Sequence, residues 1–177
     1  MKIVAFGASY SKKSINKKFA GFAAKQFENA EIEILDLNNY KLPLYTVDEE
    51  SEKGIPDDVE KFVDKLTEAD LLVISLAEHN GSYTAAFKNL FDWASRLKMK
   101  MFESKKMLLL STSPGHRGGA GVMAAAKIRF PIHGADIIST FSLPDFYENF
   151  NNEMGIVNEE LDKQFKEAIS LIKSKIY

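Results

Sequence analysis

The chain has no cysteine. That absence removes disulfide bridges, cysteine-ligated zinc and thiol catalysis from consideration. It also lacks a charge imbalance: 23 Lys and Arg stand against 25 Asp and Glu, for a net charge of −2. Such a balance offers no electrostatic footprint for nucleic acid or an anionic membrane. No apolar run approaches the roughly 20 residues a membrane-spanning helix requires. The opening Met1-Lys-Ile-Val-Ala-Phe6 gives way at once to Ser9-Tyr-Ser-Lys-Lys-Ser14, too short for the apolar core of a secretory signal, so a cytoplasmic location is expected. Two nucleotide fingerprints are missing as well. No G-x-G-x-x-G follows the first strand, and no Gly-Lys-Ser/Thr occurs, which disfavours a dinucleotide held in the Rossmann manner and a P-loop triphosphate site.

What is present fits one domain spanning residues 1–177, without repeat or linker. The 45% hydrophobic content is enough for a sizeable core. Residues 2–7 are apolar and predict a first strand. Ile15, Phe19, Phe22, Ala23 and Phe27 then recur at helical spacing. Residues 31–37 alternate and predict a second strand, with Ile32 and Ile34 inward and Leu35 a further candidate for that face. A long connection over 38–53 follows, its polar part 48–53 read as a surface excursion. Pro56 opens a helix striped by Val59, Phe62, Val63 and Leu66. The continuous apolar run from Leu71 to Leu76 suits a strand covered on both faces. A helix over about 83–97 follows, then a strand over 106–111 and a helix over 120–130. A strand over 136–141, a polar stretch from Pro144 to about Asn158 and a helix striped by Leu161, Phe165, Ala168, Ile169 and Ile172 complete the chain. Five strands alternating with helices imply an α/β fold with a parallel sheet. The flavodoxin-like order 2-1-3-4-5, helices on both faces, sets the loops after strands one, three and four side by side.

Those three loops have unusual composition. The first carries Ser9, Ser11, Ser14 and Asn16 at the start of a helix. Hydroxyls and the unsatisfied N–H groups of a helix N-terminus together suit a terminal phosphate, although Ser14 also reads as a plain N-cap. The second is Glu78-His-Asn-Gly-Ser82. Gly81 permits close approach to a ring or positive φ, Ser82 is a candidate helix cap, and His79 reads as a loop residue rather than a catalyst. The third, Ser113-Pro-Gly-His-Arg-Gly-Gly119, has three glycines in seven residues. It reads either as a flexible turn or as a backbone surface open to a ligand.

These residues resemble the NAD(P)H-dependent FMN reductase family, which has a flavodoxin-like fold and includes quinone-, chromate- and azo-reducing relatives. The family's first loop reads about Gly-Ser-x-Arg-x-x-Ser-x-Asn, and Ser9, Ser11, Ser14 and Asn16 occupy its serine, arginine, serine and asparagine places. Its second motif reads about Pro-Glu-Tyr-Asn-x-Ser, followed by a helix with Lys-Asn-x-x-Asp-Trp. This chain has Ala77-Glu-His-Asn-Gly-Ser82 and then Phe87-Lys-Asn-Leu-Phe-Asp-Trp93. The third loop matches Ser-x-Gly-x-x-Gly-Gly. Ser11 in place of arginine removes a bidentate phosphate partner, for which Lys12 or Lys13 is a less directed substitute. His79 in place of tyrosine alters a wall of the flavin pocket.

The resemblance implies FMN as cofactor and NADPH or NADH as co-substrate, with hydride transfer to flavin N5 and onward reduction of a flavin, quinone or similar small acceptor in ping-pong order. It implies phosphate contacts from Ser9, Ser11, Ser14, Ile15 and Asn16. It implies a ring wall from Glu78, His79, Asn80, Gly81 and Ser82, and a second wall from Ser113, Gly115, His116 and Arg117. No side chain is assigned acid or base work, and no metal is expected. The family implies a homo-oligomer, for which the apolar residues of 97–102 are one candidate surface and an approach to the next strand the alternative. A flavodoxin-like electron carrier and a non-catalytic FMN-binding module are the competing readings.

Overall fold

The computed structural model describes residues 1–176. Its centre is a five-stranded parallel sheet. In chain order the elements begin with strand β1 (Lys2–Ala8), helix α1 (Ile15–Ala24) and strand β2 (Glu31–Leu35). Next come α2 (Val47–Lys53), α3 (Asp57–Glu68) and β3 (Leu71–Leu76), then a small hairpin of β4 (Glu78–His79) and β5 (Ser82–Tyr83). The rest is α4 (Ala85–Leu97), β6 (Lys106–Thr112), α5 (Ala120–Ile132), β7 (Asp136–Leu143), α6 (Phe146–Asn149), a second hairpin β8 (Phe150–Asn151) and β9 (Gly155–Ile156), and α7 (Glu159–Ile176). The main sheet runs β2-β1-β3-β6-β7, all pairs parallel. Without the two hairpins this is the expected 2-1-3-4-5 order.

The sheet is sealed on both faces. One core gathers Val4, Phe6, Leu72 and Ile74 against α3, α4 and α5 through Phe62, Leu66, Phe87, Trp93 and Phe130. The other gathers Ile3, Ala5, Val73 and Leu110 against α1 and α7 through Phe19, Ala23, Phe165 and Ile169. Every residue of β3 is buried, which explains its unbroken apolar run. The four-residue stripe expected on α3 is its buried face.

Several expectations shift. β2 ends at Leu35, and Leu37–Asn39 form a 3-10 turn capped by Asp36. β2 is an edge strand, and Ile34 is 43% exposed while Leu35 and Leu37 are buried. Residues 48–53 form most of α2, capped by Thr46, with no buried residue. Thr84, not Ser82, caps α4: its hydroxyl accepts from Phe87 N at 3.3 Å and donates to Ala8 O at 3.1 Å. The stretch after Pro144 is a folded excursion that buries Phe146 and Ile156. Of the apolar residues in 97–102, Met101 and Phe102 belong to the core and Leu97 packs half-buried against it, while Met99, 64% exposed, offers the most surface. Among the described residues, no helix is long and apolar enough to cross a membrane.

Candidate functional site

The carboxyl ends of β1, β3 and β6 deliver the three loops to one end of the sheet. At the first, Gly7 has no Cβ for a reason: one built there would lie 2.2 Å from Lys17 N and 2.6 Å from Asn16 C. That close approach brings the first turn of α1 down onto the tip of β1. Ser9 N donates to Gly7 O at 2.7 Å and Ser9 Oγ accepts from Ser11 N at 3.1 Å, which folds the loop back toward the helix. Ser14 N donates to Ser11 O at 3.0 Å. The Ser14 hydroxyl oxygen accepts from Lys17 N at 3.1 Å, so Ser14 is the N-cap. A helix start exposes four N–H groups. Ser14 and Lys17 have partners, which leaves those of Ile15 and Asn16 opening off the positive end of the helix.

Asn16 is 3% exposed and its side chain turns inward. Its Oδ1 accepts from Ser75 Oγ and Thr112 N, and its Nδ2 donates to Thr112 O. It therefore ties α1 to β3 and β6, and what Asn16 offers outward is its backbone N–H. The Lys17 ammonium is bound to Asp36 at 2.6 Å. That hydrogen bond, with those from Asn38, draws the Asp36 carboxyl down to about 2.

The second loop is a hairpin. His79 pairs with Ser82, and Asn80 and Gly81 hold φ of 51° and 77°, the two-residue turn that Asn-Gly favours. His79, Asn80, Gly81 and Ser82 are exposed. Glu78 is half-buried, and its Oε2 accepts from Val122 N at 2.7 Å, in the first turn of α5.

The third loop leans on the excursion after β7. Asp145 N donates to Gly115 O and Phe146 N to Ser113 O, both at 3.1 Å. Ser113 Oγ donates to Gly115 O at 3.0 Å. Gly118 and Gly119 are buried with φ of 56° and 82°, and a Cβ on Gly118 would crowd Pro144 N at 3.0 Å. Gly115, His116 and Arg117 stand exposed.

Between the loops lies a cleft of about 260 Å³, lined from loop one by Ser9, Ser11, Lys13, Ser14, Ile15 and Asn16. Ala77, Glu78 and His79 line it from loop two, and Thr112, Ser113, Pro114 and Tyr147 from the β6 side. Sequence reasoning thus brought eight of its residues to one cleft: Ser9, Ser11, Ser14, Ile15, Asn16, Glu78, His79 and Ser113. Asn80, Gly81, Ser82, Gly115, His116 and Arg117 do not line it and form exposed rims. Ala77, Thr112, Pro114 and Tyr147 were missed. Tyr147 sits on a helix of four residues, too short to show a period. A larger groove of about 570 Å³ runs along α1 between Ile34 and Phe150. It lies along the body of the helix, away from the convergent N–H and hydroxyl donors, so the smaller cleft is the candidate site. Among the described residues no His, Asp and Glu cluster could hold a metal ion.

The first loop's donor set in the cleft is mostly neutral: the hydroxyls of Ser9, Ser11 and Ser14, two helix N–H groups and, as its ammonium group, Lys13. It suits a phosphorylated, hydrogen-bonding ligand. The chain is 38% identical over 79 residues to a quinone reductase of Escherichia coli, covering 45% of this chain and 42% of that protein. It is 36% identical over 89 residues to an NAD(P)H-dependent FMN reductase of Pseudomonas aeruginosa, covering 50% of this chain and 46% of that protein. The matched stretches thus span about half the length of these curated relatives or slightly less. The flavoenzyme FerB, an NAD(P)H:acceptor oxidoreductase of Paracoccus denitrificans, superposes with a TM-score of 0.71 at 24% identity, covering 98% of this chain and 97% of that one. That likeness establishes the flavodoxin-like fold. The profile of the family described as NADPH-dependent FMN reductase matches residues 1–148, and the chain belongs to that family.

Proposed function

We propose that residues 1–177 form a single FMN-binding unit that works as an NAD(P)H-dependent reductase. The observation that carries this reading is the pair of α1 N–H groups, at Ile15 and Asn16, opening into a cleft shared by the loops after β1, β3 and β6. An open parallel sheet binds ligands at this end, and a helix N-terminus favours an anion. In this reading Ser9, Ser11 and Ser14 donate their hydroxyl protons to the phosphate of FMN, since the Ser9 and Ser14 oxygens already accept from Ser11 N and Lys17 N. Glu78, His79, Asn80, Gly81 and Ser82 form one wall for the ring. Ser113, Gly115, His116 and Arg117 form the other and meet the nicotinamide co-substrate. The backbone N–H groups of these loops stabilise negative charge on the ring without an acid or base. Held there, FMN would supply the redox chemistry of an NADPH- or NADH-dependent reduction of a flavin, quinone or similar acceptor in ping-pong order. A homo-oligomer in the cytoplasm completes the proposal.

The test is an absorbance spectrum of the purified protein with added FMN, then anaerobic titration with NADH and with NADPH. Flavin bleaching on titration is the expected result. A protein whose melting temperature and whose flavin's fluorescence are both unmoved by FMN refutes it. A second reading, a non-catalytic FMN-binding module without nicotinamide turnover, is favoured by Ser11 and His79 standing where the family has arginine and tyrosine. Steady-state NAD(P)H oxidation with a quinone separates the two.

A further inference from the structure

We infer that Glu78 is a positioning residue: its carboxylate locks the β4–β5 hairpin onto the first turn of α5, and this lock holds the two ring-facing walls of the cleft at fixed separation. The inference rests on the FMN-binding reading and gives Glu78 a role other than contact with the ring.

Three observations converge on it. First, α5 lacks a cap of its own. Its N-cap is Gly119, with no side chain to accept a hydrogen bond, and its first turn holds no acidic residue. Ala120 N donates to Arg117 O and Met123 N to Gly119 O. The Val122 N–H between them goes to Glu78 Oε2 at 2.7 Å, a partner 44 residues earlier in the chain. An anion at the positive end of a helix is stabilised there, and the helix start loses an orphan donor. Second, α5 is built to admit the hairpin. A Cβ on Gly121 would lie 2.8 Å from Glu78 Oε2 and 3.1 Å from Gly81 O. Glycine at this helical position clears both the carboxylate and the hairpin's turn. Third, the hairpin has little else to hold it. It contains two paired positions, and a two-stranded ribbon of that size is marginal in water. Its tip, from His79 to Ser82, is exposed. Tyr83, by contrast, is anchored between helices, its ring stacked 6.1 Å from Phe130 of α5 at 5°. The hairpin is therefore pinned at its base by packing and along its α5 side by one carboxylate.

Binding of lumiflavin, which is the ring without ribityl phosphate, isolates the wall from the phosphate site. Glu78→Ala and Gly121→Ala are each expected to weaken lumiflavin and FMN by the same factor, roughly five- to tenfold, the scale of one lost helix cap. Because both act on one contact, the double variant is expected to bind about as weakly as the worse single variant. Glu78→Gln keeps a neutral acceptor and is expected to restore most of the affinity. Unchanged lumiflavin affinity in Glu78→Ala overturns the inference, as does a loss confined to FMN, or two single effects that multiply in the double variant. Amide hydrogen exchange on the flavin-free protein gives an independent reading. Val122 and the residues 79–82 should lose protection together in Glu78→Ala and regain it in Glu78→Gln; retained protection in Glu78→Ala overturns the lock. Wild-type protein that binds neither flavin sinks the FMN reading, and the exchange measurement then still decides the lock.

Discussion

Asn16 Oδ1 accepts the hydroxyl of Ser75 at 2.7 Å, so the amide of a cleft-lining residue is turned into the fold. Ser75 is fully buried in β3, where an unpaired hydroxyl is costly. Asn16 satisfies it and both backbone groups of Thr112 in β6, so one amide fixes the register of α1 against two strands. Asn16→Ala leaves Ser75 Oγ and Thr112 N and O without this partner. The expected loss is about 2–4 kcal/mol in urea denaturation, from more than one unsatisfied buried group. In an Asn16→Ala/Ser75→Ala pair the losses should be clearly less than additive. Additive losses contradict the bridge.

Gly7 serves the same geometry by absence of a side chain. With Lys17 N at 2.2 Å and Asn16 C at 2.6 Å from a built Cβ, and backbone as the obstacle, no rotamer relieves the clash. Gly7→Ala must lift the first turn of α1 from the end of β1. Destabilisation at or above the usual overpacking cost of about 1–3 kcal/mol is expected. Inorganic phosphate or FMN, expected to raise the melting temperature of wild type, should then fail to raise that of Gly7→Ala. An alanine variant of unchanged stability contradicts the packing described.

The motif residues Asn89 and Trp93 of α4 hold chain rather than ligand. Asn89 Oδ1 accepts from Tyr45 N at 2.8 Å, and Asn89 Nδ2 and Trp93 Nε1 both donate to Pro43 O at 2.9 Å. Arg96 pairs with Glu50 at 3.0 Å. Together they strap residues 41–53 across α4. Asn89→Ala is expected to cost about 1–2 kcal/mol, the scale of two modest hydrogen bonds, and to speed proteolytic cutting within 41–53 ahead of the rest of the chain. Cutting elsewhere first rules out this account of the strap.

Where apolar residues recur with a period, the sequence was sufficient. The burial of β3, the stripe of α3 and four of the five stripe residues of α7 follow from counting, Leu161 being half-buried at the start of α7. Ile34 misled because alternation marks a strand but not its place in the sheet, and β2 lies at the edge. Phe146 and Ile156 are buried one at a time in short elements, so no pattern announces them. In the site, Ser14 was readable as a cap from local spacing. The inward turn of Asn16 was not, because its partner Thr112 lies 96 residues away. The Asn80-Gly81 pair is a hairpin signal in its own right, and the turn it forms is the tip of β4–β5. The link from Glu78 to Val122 needs both the hairpin and the start of α5 in place, which no local window contains.

The buried phenols set an alkaline limit on stability. Desolvation pushes Tyr10, Tyr40 and Tyr83 up to about 12, and Tyr83 Oη is buried with no hydrogen-bond partner. In the unfolded chain a phenol ionises near 10. Between about pH 10 and 12 the folded state therefore keeps protons that the unfolded state has released, so folding stability falls as pH rises through this window and is unaffected by these groups below it. Absorbance at 295 nm should show Tyr10, Tyr40 and Tyr83 titrating late or only as the fold opens. Tyr83→Phe removes the unpartnered hydroxyl while keeping the ring between Phe91 and Phe130. It is expected to match or exceed wild-type stability at neutral pH and to flatten the decline above pH 10. A Tyr83→Phe protein whose stability falls with pH as steeply as wild type would place the alkaline sensitivity elsewhere.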